Sequence, residues 1–505
     1  MSQPLDIVIL SVPYTDPIAT VAPVLLSACL NKGGVMAKGI DFSIDFYGEF
    51  SNKHYWNMLK SQLTLGHIKE KDLPRRAVID ILKFNKKFLL KLTQHNLKWI
   101  GLSIFSAESI SYSYLLIYSI RKYLPGVKIV VGGKGSEARC SVRGKAHSHI
   151  YIDEGLADLA VVGDCEHVIA EVIKNNTLGV YTSPSQTVDD LDAAPLPTWD
   201  EYDLIRYNNY KTAIMTEPYM IVTASKGCIR KCTFCDVASF WPKYLYRDPT
   251  RVANEIITAH KKIGTKLFLF TDNLINGSVS KYRTMNQVLA DTIPNTIKYA
   301  AYAIFRNKDT MPVEDFALAK RAGCFSWSIG IESGSERVRF ELGKKITDED
   351  LDWSANQLAK HDIQQRWLML AGYPTETDDD FKLTLEMLRR YAHIAKRGLI
   401  KASVTPTFML LNNSPIMQDT ALRDSLGLSH NVDSVTNKFW TSTINVDNTF
   451  PIRAYRWRTI VNLLDELGYQ WDENNPRDKY LDEIDTLEKI YNEQKIKIIP
   501  ITQIQ

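Results

Sequence analysis

Residues 219–237 read YMIVTASKGCIRKCTFCDV. The stretch opens on a short, unbroken apolar run, the pattern of a strand buried on both faces. It then passes through Gly227 into Cys228, Cys232 and Cys235, spaced by four and by three. Downstream the alternation repeats, with strands expected at 219–224, 266–271, 298–305, 325–332, 366–371 and 401–407. Amphipathic segments separate them, such as PTRVANEIITAHKKIG, which has Pro249 in its first turn and closes on Gly264. Six β/α units predict a partial (β/α)6 TIM-type barrel, whose ligands sit at the C-terminal ends of the strands. The cysteines follow the first strand and so belong at that end.

Toward the N-terminus, residues 183–215 are rich in Pro, Asp and Ser, lack a sustained period and read as a linker. Before them, LDIVIL (5–10), GIDFSIDF (39–46), IGLSIF (100–105), KIVVGG (128–133) and DLAVVGD (158–164) read as strands, with APVLLSACL and residues 112–123 as helices. Alternating strands and helices predict a doubly wound, Rossmann-like domain. Beyond 411, TIVNLLDELG and KYLDEIDTLEKIYNEQ read as helices. The expected class is α/β: an N-terminal domain at 1–182, a linker at 183–215, a barrel at 216–410 and a helical C-terminal domain at 411–505.

A chain of 505 residues exceeds what one core serves, at roughly 100–200 residues per domain. Lys and Arg number 61 against 58 for Asp and Glu, and the net charge of +3 supplies no strong field for nucleic acid or anionic lipid. The basic run Lys83–Lys91 reads more simply as a solvated helix face. The N-terminus lacks a basic region with a cleavage site, and the apolar stretch Val21–Leu30 is too short to span a bilayer. A cytoplasmic protein without a transmembrane segment is expected. Seven cysteines, an odd number, do not form a disulfide framework.

Three thiolates without an obvious fourth are informative. A structural zinc site wants four ligands, and neither Cys165 nor Cys324 has a partner at pair spacing. A four-iron cluster held by three thiolates leaves one iron open. The spacing CxxxCxxC, with Phe234 before the last Cys, resembles the signature of the radical S-adenosylmethionine superfamily. That resemblance implies a 4Fe-4S cluster whose open iron chelates the methionine moiety, with reductive cleavage to a 5′-deoxyadenosyl radical and an external electron donor such as a flavodoxin or ferredoxin. FTDNLI (270–275) resembles a strand-end motif of the cobalamin-dependent subgroup, which implies Asp272 and Asn273 near S-adenosylmethionine. SIGIESGSERV (328–338) resembles its fourth-strand motif, which implies the same of Glu332, Ser333 and Gly334. AGYPTET (371–377) resembles its fifth-strand motif through Gly372 and Pro374, with Thr375 where a second Gly is usual. Arg306 is the candidate to bind a substrate carboxylate or cover the site, its ordinary alternative being a surface ion pair. Tyr302, Trp327 and Trp367 are candidates to line the cavity, with core packing as the alternative.

Residues 1–182 resemble the cobalamin-binding domain that precedes the radical domain in that subgroup: VPY after strand one, Ser103, Gly132 and Gly133, and Gly163 in GDCE (163–166). The first histidine is His54, so cobalamin without a histidine from a DxHxxG loop is implied. Both cofactors together imply methylation of an unactivated carbon or a phosphinate phosphorus in a small-molecule or peptide substrate. Rival readings are a cobalamin-dependent rearrangement or cyclisation, a non-catalytic corrin or redox-responsive protein, and a transfer-RNA methylthiolating enzyme, whose usual C-terminal β-barrel the helical tail does not match.

Overall fold

The computed structural model describes residues 4–13, 19–59, 75–137, 145–183, 190–209, 219–430, 438–471 and 477–494. The chain divides into two units, Met1–Ile221 and Val222–Gln505.

The first unit is built on β1 (Ile7–Ser11), β2 (Ala37–Ile40), β3 (Trp99–Ser103), β4 (Lys128–Gly132), β5 (Leu159–Val162) and β6 (Gly179–Thr182). They form one parallel sheet in the order β2-β1-β3-β4-β5-β6. The order reverses between β1 and β3, which makes the C-terminal ends of those strands the switch point where doubly wound sheets take ligands. Apolar clusters cover both faces, one around Ile100, Leu102 and Val131, the other around Ile7, Ile9 and Leu159.

One expected strand is corrected. GIDFSIDF leaves the sheet at Ile40 and forms a helix, Phe42–Phe50. Apolar residues at 42, 44 and 46 alternate as a strand would, but Phe42, Phe46 and Phe50 also recur at the four-residue spacing of a helix face. Asp41 decides between the two, because its carboxylate caps the Ile44 amide at 3.3 Å and accepts from the Ser11 hydroxyl at 3.1 Å. The phenylalanines then pack on Phe88 and Tyr112. Part of the stretch read as a linker docks within this unit: Thr198 Oγ1 donates to Val24 O at 3.0 Å, and Glu201 accepts from the Ser27 hydroxyl and the Gly39 amide.

The second unit's main sheet contains β7 (Tyr219–Val222), where the division between units falls, then β10 (Leu267–Phe270), β11 (Lys298–Ala303), β12 (Cys324–Glu332), β13 (Gln364–Leu370) and β14 (Ile400–Thr405). Two short strands, β8 (Ser225–Lys226) and β9 (Leu245–Tyr246), pair beside the cysteine loop, and β15 (Leu428–His430) pairs antiparallel with β16 (Trp440–Ser442). The order β17-β14-β13-β12-β11-β10-β7 carries one strand more than six units supply. That strand, β17 (Gln470–Trp471), comes from the C-terminal region, after Gly468 ends the helix Phe450–Leu467 in a left-handed conformation.

Trp327 packs on Tyr282 and Phe316, and Trp367 on Tyr391, all three from flanking helices. Both indoles therefore belong to the core between sheet and helices. Tyr302, Ser328 and Arg366 share one register row on the opposite face, where Tyr302 is 41% exposed. Among the described residues, no helix is long and apolar enough to cross a membrane.

Candidate active site

The cysteine loop is shaped by what flanks it. Gly227 has φ +81°, and a Cβ there would collide with Lys243 O, so the chain turns tightly out of β8. Arg230 N donates to Cys228 Sγ at 3.3 Å, and Cys235 N to Cys232 O at 3.2 Å. Thr233, between the last two cysteines, donates its amide to Leu342 O at 3.0 Å and shares a 3.1 Å hydroxyl contact with Tyr373. Phe234 packs against Phe408. Burial pushes the Cys232 thiol up to about 12 and raises Cys235 as well, so metal binding there must displace protons. Among the described residues no three His, Cys, Asp or Glu side chains converge on a single-ion site. A cluster that takes one thiolate per iron asks instead for sulfurs set around a larger body, and a donor set of three thiols on one loop suits it.

Around this loop stand the ends of the neighbouring strands. Asp272, after β10, is buried; one carboxylate oxygen accepts from the Ala224 amide at 3.0 Å, and the other has no protein partner. Burial pushes its carboxyl up to about 6. Asn273 follows it, half-buried. Glu332 closes β12 at φ +70°, which only a specific demand imposes on a glutamate. The register slips between Gly330 and Glu332, and the carboxylate is held 2.7 Å from Lys344 Nζ. Burial works against the Lys344 ammonium, yet Glu332 and Cys232 hold it above its ordinary value. Ser333 and Gly334 come so close to the helix Asp378–Ala395 that a Cβ on Gly334 would strike Thr384 Cα.

After β13, Gly372 has φ +86°, and its amide donates to buried Glu376 at 2.9 Å. Pro374 lies in the same turn. Arg306 is no simple surface cation: Nη2 donates to the carbonyls of Asn276 and Gly277 at 2.9 and 2.8 Å, while Nε has no protein partner. Burial lowers its affinity for the proton, and Arg230 adds to that. Asp272 and Gly372 thus follow β10 and β13, Glu332 closes β12, and Cys228 comes after β7 and the short strand β8, at the end of the sheet where a parallel barrel binds its ligands.

In the first unit, Ser103 and Gly132 lie in register with Ser11 at the ends of β3, β4 and β1. Gly133 has φ +106°, and a Cβ there would collide with Ile104 O. Gly163, at φ +88°, donates its amide to Glu137 at 3.2 Å, and Lys134 bridges Glu137 and Asp164. These residues form one glycine-lined edge beside the switch point. Of VPY, Tyr14 lies outside the described residues.

The radical SAM superfamily model matches residues 222–388, which hold the three cysteines and the ends of β10, β12 and β13. That segment, about a third of the chain, is similar to the radical S-adenosylmethionine superfamily. The superfamily uses a 4Fe-4S cluster and S-adenosylmethionine. Among curated proteins, it is 27% identical over 300 residues to the anaerobic magnesium-protoporphyrin IX monomethyl ester cyclase of Synechocystis, covering 54% of this chain and 55% of that one. It is 27% identical over 248 residues to the cytidylyl-2-hydroxyethylphosphonate methyltransferase of Streptomyces wedmorensis, covering 47% and 44%. The chain thus spans about half the length of the curated relatives it matches. The radical S-adenosylmethionine methyltransferase TsrM of Kitasatospora setae, solved with tryptophan and aza-SAM bound, shares the fold over 92% of this chain and 89% of its own, with a TM-score of 0.59 and 14% identity. The same enzyme with cobalamin and a [4Fe-4S] cluster bound gives 0.57.

Three residues beside this candidate site escaped sequence reasoning. Lys344 pairs with Glu332 from twelve residues away, with only a GKK stretch to mark it. Arg339, fully buried, donates to the carbonyls of Ser333 and Gly334 at 3.1 and 3.0 Å and so holds the turn after Glu332. Thr407, after β14, is buried at φ +60° with no partner for its hydroxyl. A β-branched residue in that conformation has no sequence signature.

Proposed function

We propose that this protein is a cobalamin-dependent radical S-adenosylmethionine enzyme that methylates an unactivated carbon or a phosphinate phosphorus. One observation carries the reading: Cys228, Cys232 and Cys235 lie on one tight loop at the ligand-binding end of an open parallel sheet, beside Asp272 and the Glu332–Lys344 pair. When bound, the cluster and S-adenosylmethionine supply a 5′-deoxyadenosyl radical, and methylcobalamin supplies the methyl group. The chain's own residues bind and orient. The three thiolates hold the cluster, and Asp272, Asn273, Glu332, Ser333, Gly334, Gly372 and Pro374 hold S-adenosylmethionine. Asp272 brings a buried oxygen with no protein partner, suited to accept a hydrogen bond from that ligand. Hydrogen abstraction needs no strong base, so positioning and exclusion of water are the protein's share.

Cobalamin belongs to the first unit in this reading, along the edge formed by Ser103, Gly132, Gly133 and Gly163, where glycines let backbone amides approach a bulky group. The shared fold with the cobalamin-bound TsrM structure supports it, and the likeness to a phosphonate methyltransferase supports methyl transfer. A cyclisation without methyl transfer is the second reading, favoured by the likeness to the Synechocystis cyclase.

Anaerobic reconstitution with iron, sulfide and hydroxocobalamin, followed by reduction with S-adenosylmethionine present, tests both. Deoxyadenosine, S-adenosylhomocysteine and methylcobalamin together support methyl transfer. Deoxyadenosine with bound corrin but no methylcobalamin supports the second reading. No deoxyadenosine from a cluster-loaded protein refutes both.

A further inference from the structure

The turn after β13, residues 372–376, accepts a side-chain hydrogen bond at every one of its carbonyls. Asn448 Nδ2 donates to Tyr373 O at 2.7 Å and reaches Gly372 O and Pro374 O at 3.4 Å. Asn445 Nδ2 donates to Pro374 O and Glu376 O, both at 3.0 Å. Arg337 Nη2 donates to Thr375 O at 2.9 Å. Arg456 Nη1 donates to Glu376 O at 3.1 Å and to Glu376 Oε2 at 3.0 Å, while its Nη2 reaches Asp378 at 2.7 Å. That Glu376 carboxylate in turn receives the Gly372 amide. Four of the five carbonyls are thus held from residues 445–456, a C-terminal region with no evident chemistry in its sequence.

The same region reaches the cysteine loop. Arg453 runs across Gly372, where a Cβ would collide with its Cγ and Cδ, and stacks its guanidinium 3.7 Å above Trp440. It is fully buried and donates to the carbonyls of Lys438, Trp440 and Asn448. Trp440 donates to Phe408 O at 2.9 Å and packs on the Phe408 ring, which packs on Tyr373 and on Phe234 between the cysteines. Tyr373 also meets the Thr233 hydroxyl at 3.1 Å. A turn whose carbonyls all point to side-chain donors has its shape set by those donors rather than by a strand ladder.

We infer that Asn445, Asn448, Arg453 and Arg456 are positioning residues for S-adenosylmethionine, and that the C-terminal region is the outer wall of the cofactor subsite. The inference deepens the reading above and rests on it. None of the four touches the reacting atoms; they act through the shape of residues 372–376. Arg456 is the sharpest probe, because its fork spans a backbone carbonyl and two carboxylates that a lysine ammonium cannot span together.

The test measures the dissociation constant for S-adenosylmethionine by calorimetry on anaerobically reconstituted holoenzyme, with iron content and the electron paramagnetic resonance of the reduced cluster as controls. Arg456→Gln and Asn448→Ala should each raise the constant about tenfold and raise KM for S-adenosylmethionine in deoxyadenosine formation more than they lower kcat. Iron content and the resonance without S-adenosylmethionine should match wild type, and Arg456→Lys should recover part of the affinity. Wild-type affinity in a folded, cluster-loaded Arg456→Gln or Asn448→Ala protein overturns the inference. Should Arg456→Gln fail to fold, wild-type affinity in Arg456→Lys overturns it equally. A wild-type protein that loads its cluster yet binds no S-adenosylmethionine refutes the functional reading itself.

Discussion

Lys344 and Glu332 show how one pair joins stability to the site. Each is largely buried and the two are 2.7 Å apart, so Lys344→Met leaves a carboxylate buried with no cation. Removal of one partner from such a pair costs about 3–5 kcal/mol. Urea denaturation of Lys344→Met should show that loss, and adding Glu332→Gln should restore much of it; independent, additive losses would mean that the pair is not coupled in solution. The cysteines behave otherwise, because thiols contribute little packing that alanine loses. Each of Cys228→Ala, Cys232→Ala and Cys235→Ala should fold, bind at most a partial complement of iron and form no deoxyadenosine. Retained cleavage in any of them would exclude that cysteine as a cluster ligand.

The elements that shape the site are turns in left-handed conformation more than the strands themselves. Gly372 is the clearest case, since its φ of +86° and the Arg453 side chain packed against it both exclude a side chain. Gly372→Ala should cost about 1–3 kcal/mol in thermal or urea unfolding, and unchanged stability would mean that the turn opens readily. Strand positions were largely legible from apolar runs, with most ends displaced by one or two residues. GIDFSIDF misled because FSIDF fits periods of two and four equally, and the Asp41 cap that breaks the tie depends on Ser11, thirty residues away in sequence. Trp327 and Trp367 are equally ambiguous from sequence, as strand alternation assigns two faces without saying which one the helices cover.

For the whole molecule, buried acids set the pH response. Burial pushes Asp272 up to about 6 from 3.8, and pushes Glu376 up to about 7 from 4.5 against the pull of Arg456. An acid whose value rises on folding holds its proton in the native state, so its contribution is complete below the unfolded value and lost as pH rises through the folded one. Asp380 acts in the opposite direction: although burial opposes it, Arg337, Ser335 and Thr377 hold its carboxyl well below the ordinary value, and that contribution is lost only in strong acid. Unfolding free energy of the metal-free protein should therefore fall between about pH 4 and pH 7, and Asp272→Asn with Glu376→Gln should flatten that slope. An unflattened slope would assign the pH response to other groups.

The sequence by itself determined the two parallel sheets, the cysteine triplet and the strand-end residues beside it, because apolar periodicity and short motifs are local records of burial and turn geometry. Only the tertiary structure decided that Lys344 pairs with Glu332, that Arg339 clamps Ser333 and Gly334, and that Asn445, Asn448 and Arg456 hold the turn at 372–376. Those partners lie up to eighty residues apart, and a side-chain donor to a carbonyl leaves no pattern in the chain that supplies it. Their roles exist once packing has brought the carbonyls within reach and removed the water that would otherwise serve them.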